Sequence, residues 1–148
     1  MKTVVNPVLE IKRVFEAPPA RVFDAWLDRL EWQSWIGPEG CRCDVPLLEA
    51  RVGGRYRIQM RFPDGREIPV AGTFEAIERP RRFVFTWGWE GDANRQSRIT
   101  ISLRDINGQT ELTLRQEGLP TPEDREQNGK GWNSALNKLA RYVKGEPV

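Results

Sequence analysis

Histidine is absent from the 148 residues, and cysteine occurs only twice. Without histidine, the chain cannot build a Ser-His or Cys-His nucleophile pair, and it lacks the usual base of neutral pH. Cys41 and Cys43 supply two thiols at most, which is too few for a zinc or copper site. We therefore expect reduced, partly buried structural thiols, no metal and no cofactor, and any acid or base would have to be a side chain whose pKa is shifted by burial.

The sequence also lacks a long apolar run and an excess of charge of either sign. Its 23 basic and 21 acidic residues leave a formal charge of +2, so no global field favours nucleic acid, and we expect no membrane insertion. The first seven residues lack the apolar stretch of a signal peptide, which predicts a cytoplasmic protein. A length of 148 residues fits one domain, 1–148, whose ordered core we place at about residues 8–144.

Large aromatic side chains, in contrast, are regularly spaced. Phe83, Phe85, Trp87 and Trp89 stand at every second position, so a strand would place all four rings on one face. Such a face is either the floor of a core or the wall of a cavity that receives an apolar guest. We expect Phe83 in the core and Trp89 at a rim, which leaves Phe85 and Trp87 to meet a guest.

The first part of the chain predicts one strand and two short helices. Residues 9–16 alternate between apolar and polar, and Pro18-Pro19 then ends the strand and can open a helix from Arg21 to Leu27. A second short helix contains Leu30 and Trp35 and should end at Gly37-Pro38.

The middle of the chain predicts an antiparallel meander of about six strands. Turn signals separate the strands at Gly53-Gly54, Pro63-Asp64-Gly65, residues 78–81, residues 91–94 and Asn107-Gly108. Asn-Gly between two alternating segments is typical of a tight hairpin turn. Arg55, Arg57 and Arg61 alternate with Tyr56, Ile58 and Met60. This alternation is typical of a half-buried strand with a solvated outer face.

The end of the chain predicts a long helix. Thr121 is a capping residue and Pro122 suits the first helical position, whereas Gly129 and Gly131 weaken the first half. From Trp132 to Val143 the apolar residues follow helical spacing. We expect this helix to cover the aromatic face of the sheet.

This order of elements, together with several short sequence segments, resembles a known family. The resemblance rests on residues 35–38, 53–57, 63–65, 72–74, 78–87 and 131–136. They are similar to the homologues of the activator of the heat-shock-protein-90 ATPase, within the START-like superfamily. The resemblance implies an α+β helix-grip fold: a curved antiparallel sheet of about six or seven strands wrapped around a long C-terminal helix, with two short helices after the first strand. It also implies a cavity between sheet and helix, closed by the two short helices.

What the resemblance implies about activity is broad, because START-like proteins include lipid carriers, polyketide cyclases, hormone-binding proteins and co-chaperone domains. It brings no catalytic motif to carry over. The chaperone activators join this domain to a separate N-terminal domain that this sequence lacks, which disfavours a co-chaperone role.

If the cavity exists, strand and helix residues should form its walls. The candidate ligand-binding residues are Tyr56, Ile58, Met60, Phe74, Phe85, Trp87, Trp132, Asn133 and Leu136, with Trp35 near the mouth. One bulge in its strand would turn Phe74 outward. Asn133 and Tyr142 could orient a ligand oxygen or could equally face solvent. Each aromatic residue could also simply pack the core.

Three functions remain open from the sequence. The first is a protein that binds a small apolar or aromatic molecule. The second is an enzyme that acts on polyketide-like substrates as a cyclase or hydrolase, and the third is a protein-interaction domain with a chaperone as partner. We rank them in that order, and a homodimer is compatible with each.

Overall fold

The computed structural model describes residues 8–92 and 96–148. Its strands are β1 (Leu9–Phe15), β2 (Arg42–Leu48), β3 (Arg55–Arg61), β4 (Glu67–Glu78), β5 (Arg82–Trp89), β6 (Ser97–Ile106) and β7 (Gln109–Glu117). Its helices are α1 (Pro19–Leu27), α2 (Arg29–Trp35) and α3 (Pro122–Val143). This order confirms the predicted one, strand by strand and helix by helix. Part of the predicted turn at 91–94, Ala93 and Asn94, lies outside the described residues.

The seven strands form one antiparallel sheet in the order β1-β7-β6-β5-β4-β3-β2. Its curvature around α3 confirms the α+β helix-grip fold. Asn107 (φ 53°) and Gly108 (φ 88°) make the tight turn between β6 and β7, as the Asn-Gly pair predicts. In the described part of the chain, no helix is long and apolar enough to cross a membrane.

Helix α3 begins where its capping residues predict. The hydroxyl of Thr121 accepts a hydrogen bond from the backbone N–H of Asp124 at 3.1 Å, and Pro122 follows at the first helical position. The helix continues through Gly129 and Gly131 without interruption. The two glycines therefore weaken the propensity of this segment without ending the helix, because tertiary packing outweighs it.

Helices α1 and α2 fill the space between the sheet and the second half of α3. Trp26, Trp32 and Trp35 are each at most 1% exposed, and Trp26 packs 4.7 Å from Trp35 and 5.5 Å from Phe83, measured between ring centroids. Trp35 also donates its indole N–H to the carbonyl of Ala25 at 2.9 Å. These rings build the large core of the protein.

The outer face of the sheet is solvated, as the arginine alternation predicts. Arg57 pairs with Glu90, Arg61 with Glu67 and Arg98 with Glu75, all at 2.8 Å or less. Exposed pairs of this kind each contribute at most about 1 kcal/mol. The inner face therefore supplies most of the stability.

Candidate functional site

A cavity of about 490 Å³ lies between the first half of α3 and the hairpin β3–β4. Pockets that bind small molecules are commonly about 300–1,000 Å³. Its wall is formed by the loop after α2, the tip of the hairpin, the end of β5 and one face of α3. The apolar lining residues are Ile36, Pro38, Met60, Phe62, Ile68, Val70, Trp87, Trp89, Trp132 and Ala135.

Two tryptophans form the aromatic part of this wall. The rings of Trp87 and Trp132 lie 4.8 Å apart at 53°. Behind them, Tyr56 stacks on Trp87 at 6.3 Å and Trp26 stacks on Trp132 at 5.8 Å. The packed core thus supports both rings from behind, and their other sides border the cavity.

The side chain of Gln116 holds this wall in place. Gln116 is 0% exposed and continues the inward row of Leu112 and Leu114 on β7. Its Oε1 accepts a hydrogen bond from the indole N–H of Trp132 at 3.1 Å. Its Nε2 donates to the hydroxyl of Ser97 at 2.9 Å and to Oδ1 of Asn128 at 3.2 Å. All three bonds of this buried amide therefore serve residues at or next to the cavity wall.

The direction of these bonds follows from the chemistry of one group. An indole nitrogen can only donate, so the atom of Gln116 that faces Trp132 must be its oxygen. The hydroxyl of Ser97 then accepts from Gln116 and donates to the carbonyl of Trp87 at 2.9 Å. The chain of bonds thus ties the ring of Trp132 to the backbone of Trp87.

Replacing Gln116 with leucine should remove the hydrogen bond that holds the indole N–H of Trp132. The buried indole N–H and the hydroxyl of Ser97 would each lose a partner, and we expect the free energy of unfolding to fall by about 2 kcal/mol. Urea denaturation monitored by tryptophan fluorescence measures this loss. Gln116→Glu keeps an oxygen for Trp132 but should also be destabilised, because it buries a carboxylate and places an acceptor against Oδ1 of Asn128. Unchanged stability in Gln116→Leu would mean that the bonds contribute nothing.

A family model covers this whole arrangement of elements. Residues 16–144 match the family described as Activator of Hsp90 ATPase homolog 1-like protein. The chain belongs to this family. Its similarity to one relative, the human Activator of 90 kDa heat shock protein ATPase homolog 1, is 31% identity over 86 residues. That match covers 57% of this chain and 23% of the human protein, so the chain spans less than a quarter of that relative.

Solved structures of similar sequence share the Activator of Hsp90 ATPase homolog 1-like fold. A protein from Chromobacterium violaceum is 31% identical, with a TM-score of 0.86 over 93% of this chain and 96% of its own. The AHSA1 protein from Silicibacter pomeroyi is 28% identical, with a TM-score of 0.81 over 93% and 98%. A protein from Arthrobacter aurescens, at 22% identity and a TM-score of 0.84 over 93% and 86%, supports the fold alone.

Three of the ten predicted ligand-binding residues line the cavity in the structure of this protein. Met60, Trp87 and Trp132 line it, and Trp89 lies at its rim with 43% of its surface exposed. Six other predicted residues are packed in the core and do not line the cavity: Trp35, Tyr56, Ile58, Phe74, Phe85 and Leu136. Phe83 is also core, as predicted.

The expected place of Trp35 near the mouth is wrong, because this side chain is fully buried against Trp26. The expectation that the two short helices close the cavity is also wrong. Their tryptophans fill the core instead, and the loop of Ile36, Gly37 and Pro38 forms that part of the wall. Phe74 points inward, although the register between β4 and β5 shifts immediately after it.

The two polar candidates do not reach the cavity. Asn133 is exposed, and its Nδ2 donates to the carbonyl of Gly129 at 2.9 Å within α3. The hydroxyl of Tyr142 donates to Glu31 at 3.0 Å and so links the end of α3 to α2. The first bond lies within α3 and the second joins two helices, so both serve the fold.

Sequence reasoning missed the polar lining residues of the cavity, which are Arg66, Asp124, Gln127, Asn128 and Lys130, and the buried Gln116 that binds Asn128 and Trp132. A signal for Gln116 was present, because it occupies an inward position of the alternating strand β7 where an apolar residue is expected. Asn128 lies one turn before Trp132 on the same face of α3. Their pairing depends on how the helix crosses the sheet, which no local pattern contains.

A second, more polar pocket of about 450 Å³ contains the two free cysteines and Lys138. Burial raises the pKa of Cys43 to about 11, so its thiol is protonated at neutral pH. Burial also lowers the pKa of Lys138, whose Nζ donates to the carbonyl of Ile36 at 3.3 Å. Over residues 8–92 and 96–148, no group of three or more Cys, Asp or Glu could hold a metal ion.

Proposed function

We propose that this protein binds a small apolar or aromatic molecule in the cavity between α3 and the hairpin β3–β4. One observation carries the proposal: the three tryptophans of α1 and α2 are each at most 1% exposed, yet a cavity of about 490 Å³ lies beside Trp87 and Trp132. Trp87 is half-buried and Trp132 is 4% exposed, and rings fixed from behind in this way offer stacking surface at little cost in side-chain entropy. Met60 and Phe62 add apolar contacts on the opposite wall.

Titration with N-phenyl-1-naphthylamine, a neutral aromatic dye, tests this proposal. We expect the dye to bind with a dissociation constant on the order of 10 μM, to gain emission and to quench tryptophan fluorescence. Saturable binding at one site supports the proposal. A signal that rises linearly, with no change in the melting temperature, would remove its support.

A co-chaperone role is the second candidate, and the match to the human ATPase activator favours it. It would use the outer surface of the domain rather than the cavity. A direct binding measurement against a 90 kDa heat-shock chaperone tests it, and a variant with a filled cavity should bind that partner unchanged.

The cyclase or hydrolase alternative stays a prediction. It requires an ionisable group inside the cavity that is free to move a proton. The carboxylate in the wall is that of Asp124, which accepts a hydrogen bond from the hydroxyl of Thr121 at 2.9 Å in the first turn of α3. This contact gives Asp124 a role in starting the helix.

A further inference from the structure

We propose that the guest carries a neutral hydroxyl or carbonyl group, and that the side-chain amide of Asn128 binds it. This inference rests on the proposed function, because it names the polar chemistry of the same cavity. It assigns the apolar body of the guest to Trp132 and Trp87 and its polar edge to one turn of α3. Small-molecule sites commonly combine apolar walls with a few fixed polar groups in this way.

Asn128 is held in place from two sides. Its Oδ1 accepts a hydrogen bond from the buried Gln116 at 3.2 Å, and its Nδ2 donates to the backbone carbonyl of Asp124 at 2.8 Å. The side chain is half-buried and lines both the main cavity and a small neighbouring pocket of about 40 Å³. The amide therefore lies at the cavity wall in one fixed orientation, which its bond to Gln116 determines.

These two bonds leave half of the hydrogen-bonding capacity of the Asn128 amide free for a bound molecule. An asparagine side chain has two N–H donors and two acceptor lone pairs on its oxygen. Gln116 uses one lone pair of Asn128, and the carbonyl of Asp124 uses one N–H. A guest hydroxyl can both donate to the remaining lone pair and accept from the remaining N–H, whereas a guest carbonyl can accept from the N–H. A purely hydrocarbon guest would leave both unused.

The charges nearby favour a neutral group over a carboxylate at this position. Asp124 lies one helical turn before Asn128 and lines the same wall, so it would repel an anion bound to the amide. Arg66 and Lys130 also line the cavity, where Arg66 pairs with Asp64 at 2.7 Å and Lys130 pairs with Glu126 at 3.5 Å. Among these charged residues, Asp124 shares the helix face of Asn128, whereas Lys130 lies two positions further along α3 and pairs with Glu126.

A pair of probes that differ in one group tests the inference. 2-Naphthol and 2-methylnaphthalene have nearly the same shape, but only the first carries a hydroxyl. We expect Asn128→Ala to weaken the binding of 2-naphthol about fivefold, the effect of one net hydrogen bond, and to change that of 2-methylnaphthalene less than twofold. Fluorescence titration of both probes against both proteins measures the two ratios.

Asn133→Ala is the matched control. Asn133 lies on the same helix and donates to the backbone carbonyl four residues earlier, as Asn128 does, but it is exposed outside the cavity. This variant should bind both probes as the wild type does. An equal loss for both probes in Asn128→Ala, or no loss for either, would overturn the inference while leaving the proposed function intact. If neither probe binds the wild type, the proposed function itself fails.

A measurement on the wild type covers the case in which Asn128→Ala does not fold. In ¹⁵N-resolved NMR spectra, the side-chain NH₂ signals of Asn128 should shift clearly more with 2-naphthol than with 2-methylnaphthalene. Equal shifts with both probes would contradict the inference. A third probe, 2-naphthoate, should bind more weakly than 2-naphthol. Tighter binding of the anion would overturn the assignment and favour Arg66 and Lys130 as the polar contacts.

Discussion

Replacement of Gly131 with phenylalanine is expected to abolish binding of N-phenyl-1-naphthylamine and to leave the protein folded and more stable. Gly131 lies on α3 and lines the cavity, and a Cβ added there would have its nearest neighbour, Cγ of Pro38, at 3.9 Å. The new ring would therefore enter the open space beside Trp132. The substitution also removes a helical glycine, which should add about 0.3–0.5 kcal/mol to the free energy of unfolding because phenylalanine is a better helix former than glycine.

Gly131→Ala is the control for this variant. It gives a larger gain in helix propensity than phenylalanine does and adds a single methyl group at ordinary contact distance, so it should be more stable than the wild type and still bind the dye. The titration and a thermal denaturation curve measure the two effects on the same samples. Full binding by the phenylalanine variant would place the dye elsewhere and would contradict the cavity as the site.

Replacement of Gly72 with alanine is expected to have the largest effect on stability. A Cβ at this position would lie 2.0 Å from the carbonyl oxygen of Thr86 and 2.7 Å from Cε2 of Tyr56. The first of these atoms belongs to the backbone of β5 and cannot move without displacing the strand. We expect a loss of at least about 3 kcal/mol, since overpacking against a fixed backbone has no cheap relaxation.

The close approach at Gly72 also supports the cavity. The hydroxyl of Tyr56 donates to the same carbonyl of Thr86 at 2.6 Å, and the ring of Tyr56 stacks on Trp87. Chemical denaturation of Gly72→Ala and Gly131→Ala compares the same chemical change at two sites, with opposite expected signs. Equal stability of the two variants would show that β5 can shift at Thr86 without cost.

The sequence predicted the fold well because its signals are local. Thr121-Pro122 at the start of α3, Asn107-Gly108 at the hairpin and the alternation in β5 each act within a few residues, and each element formed where they indicate. The family resemblance then supplied the arrangement of these elements, which local patterns cannot supply.

The cavity was harder to predict, because the alternation in a strand shows which side chains face inward but not whether they contact other core side chains or an open cavity. Phe85 and Trp87 share one face of β5, yet Phe85 is fully buried and only Trp87 lines the cavity. The difference arises from Trp26 and Trp32 of the short helices, which lie 6.2 Å from Phe85 and cover it. Residues far apart in the sequence determine this boundary.

The chain of hydrogen bonds that links the ring of Trp132 to the backbone of Trp87 also determines how the cavity wall responds to a change in pH. It consists of an indole, the amide of Gln116, the hydroxyl of Ser97 and a backbone carbonyl. None of these groups gains or loses a proton between about pH 5 and pH 9, and the chain has no histidine. The aromatic wall should therefore keep its shape while the acidity of the surroundings changes.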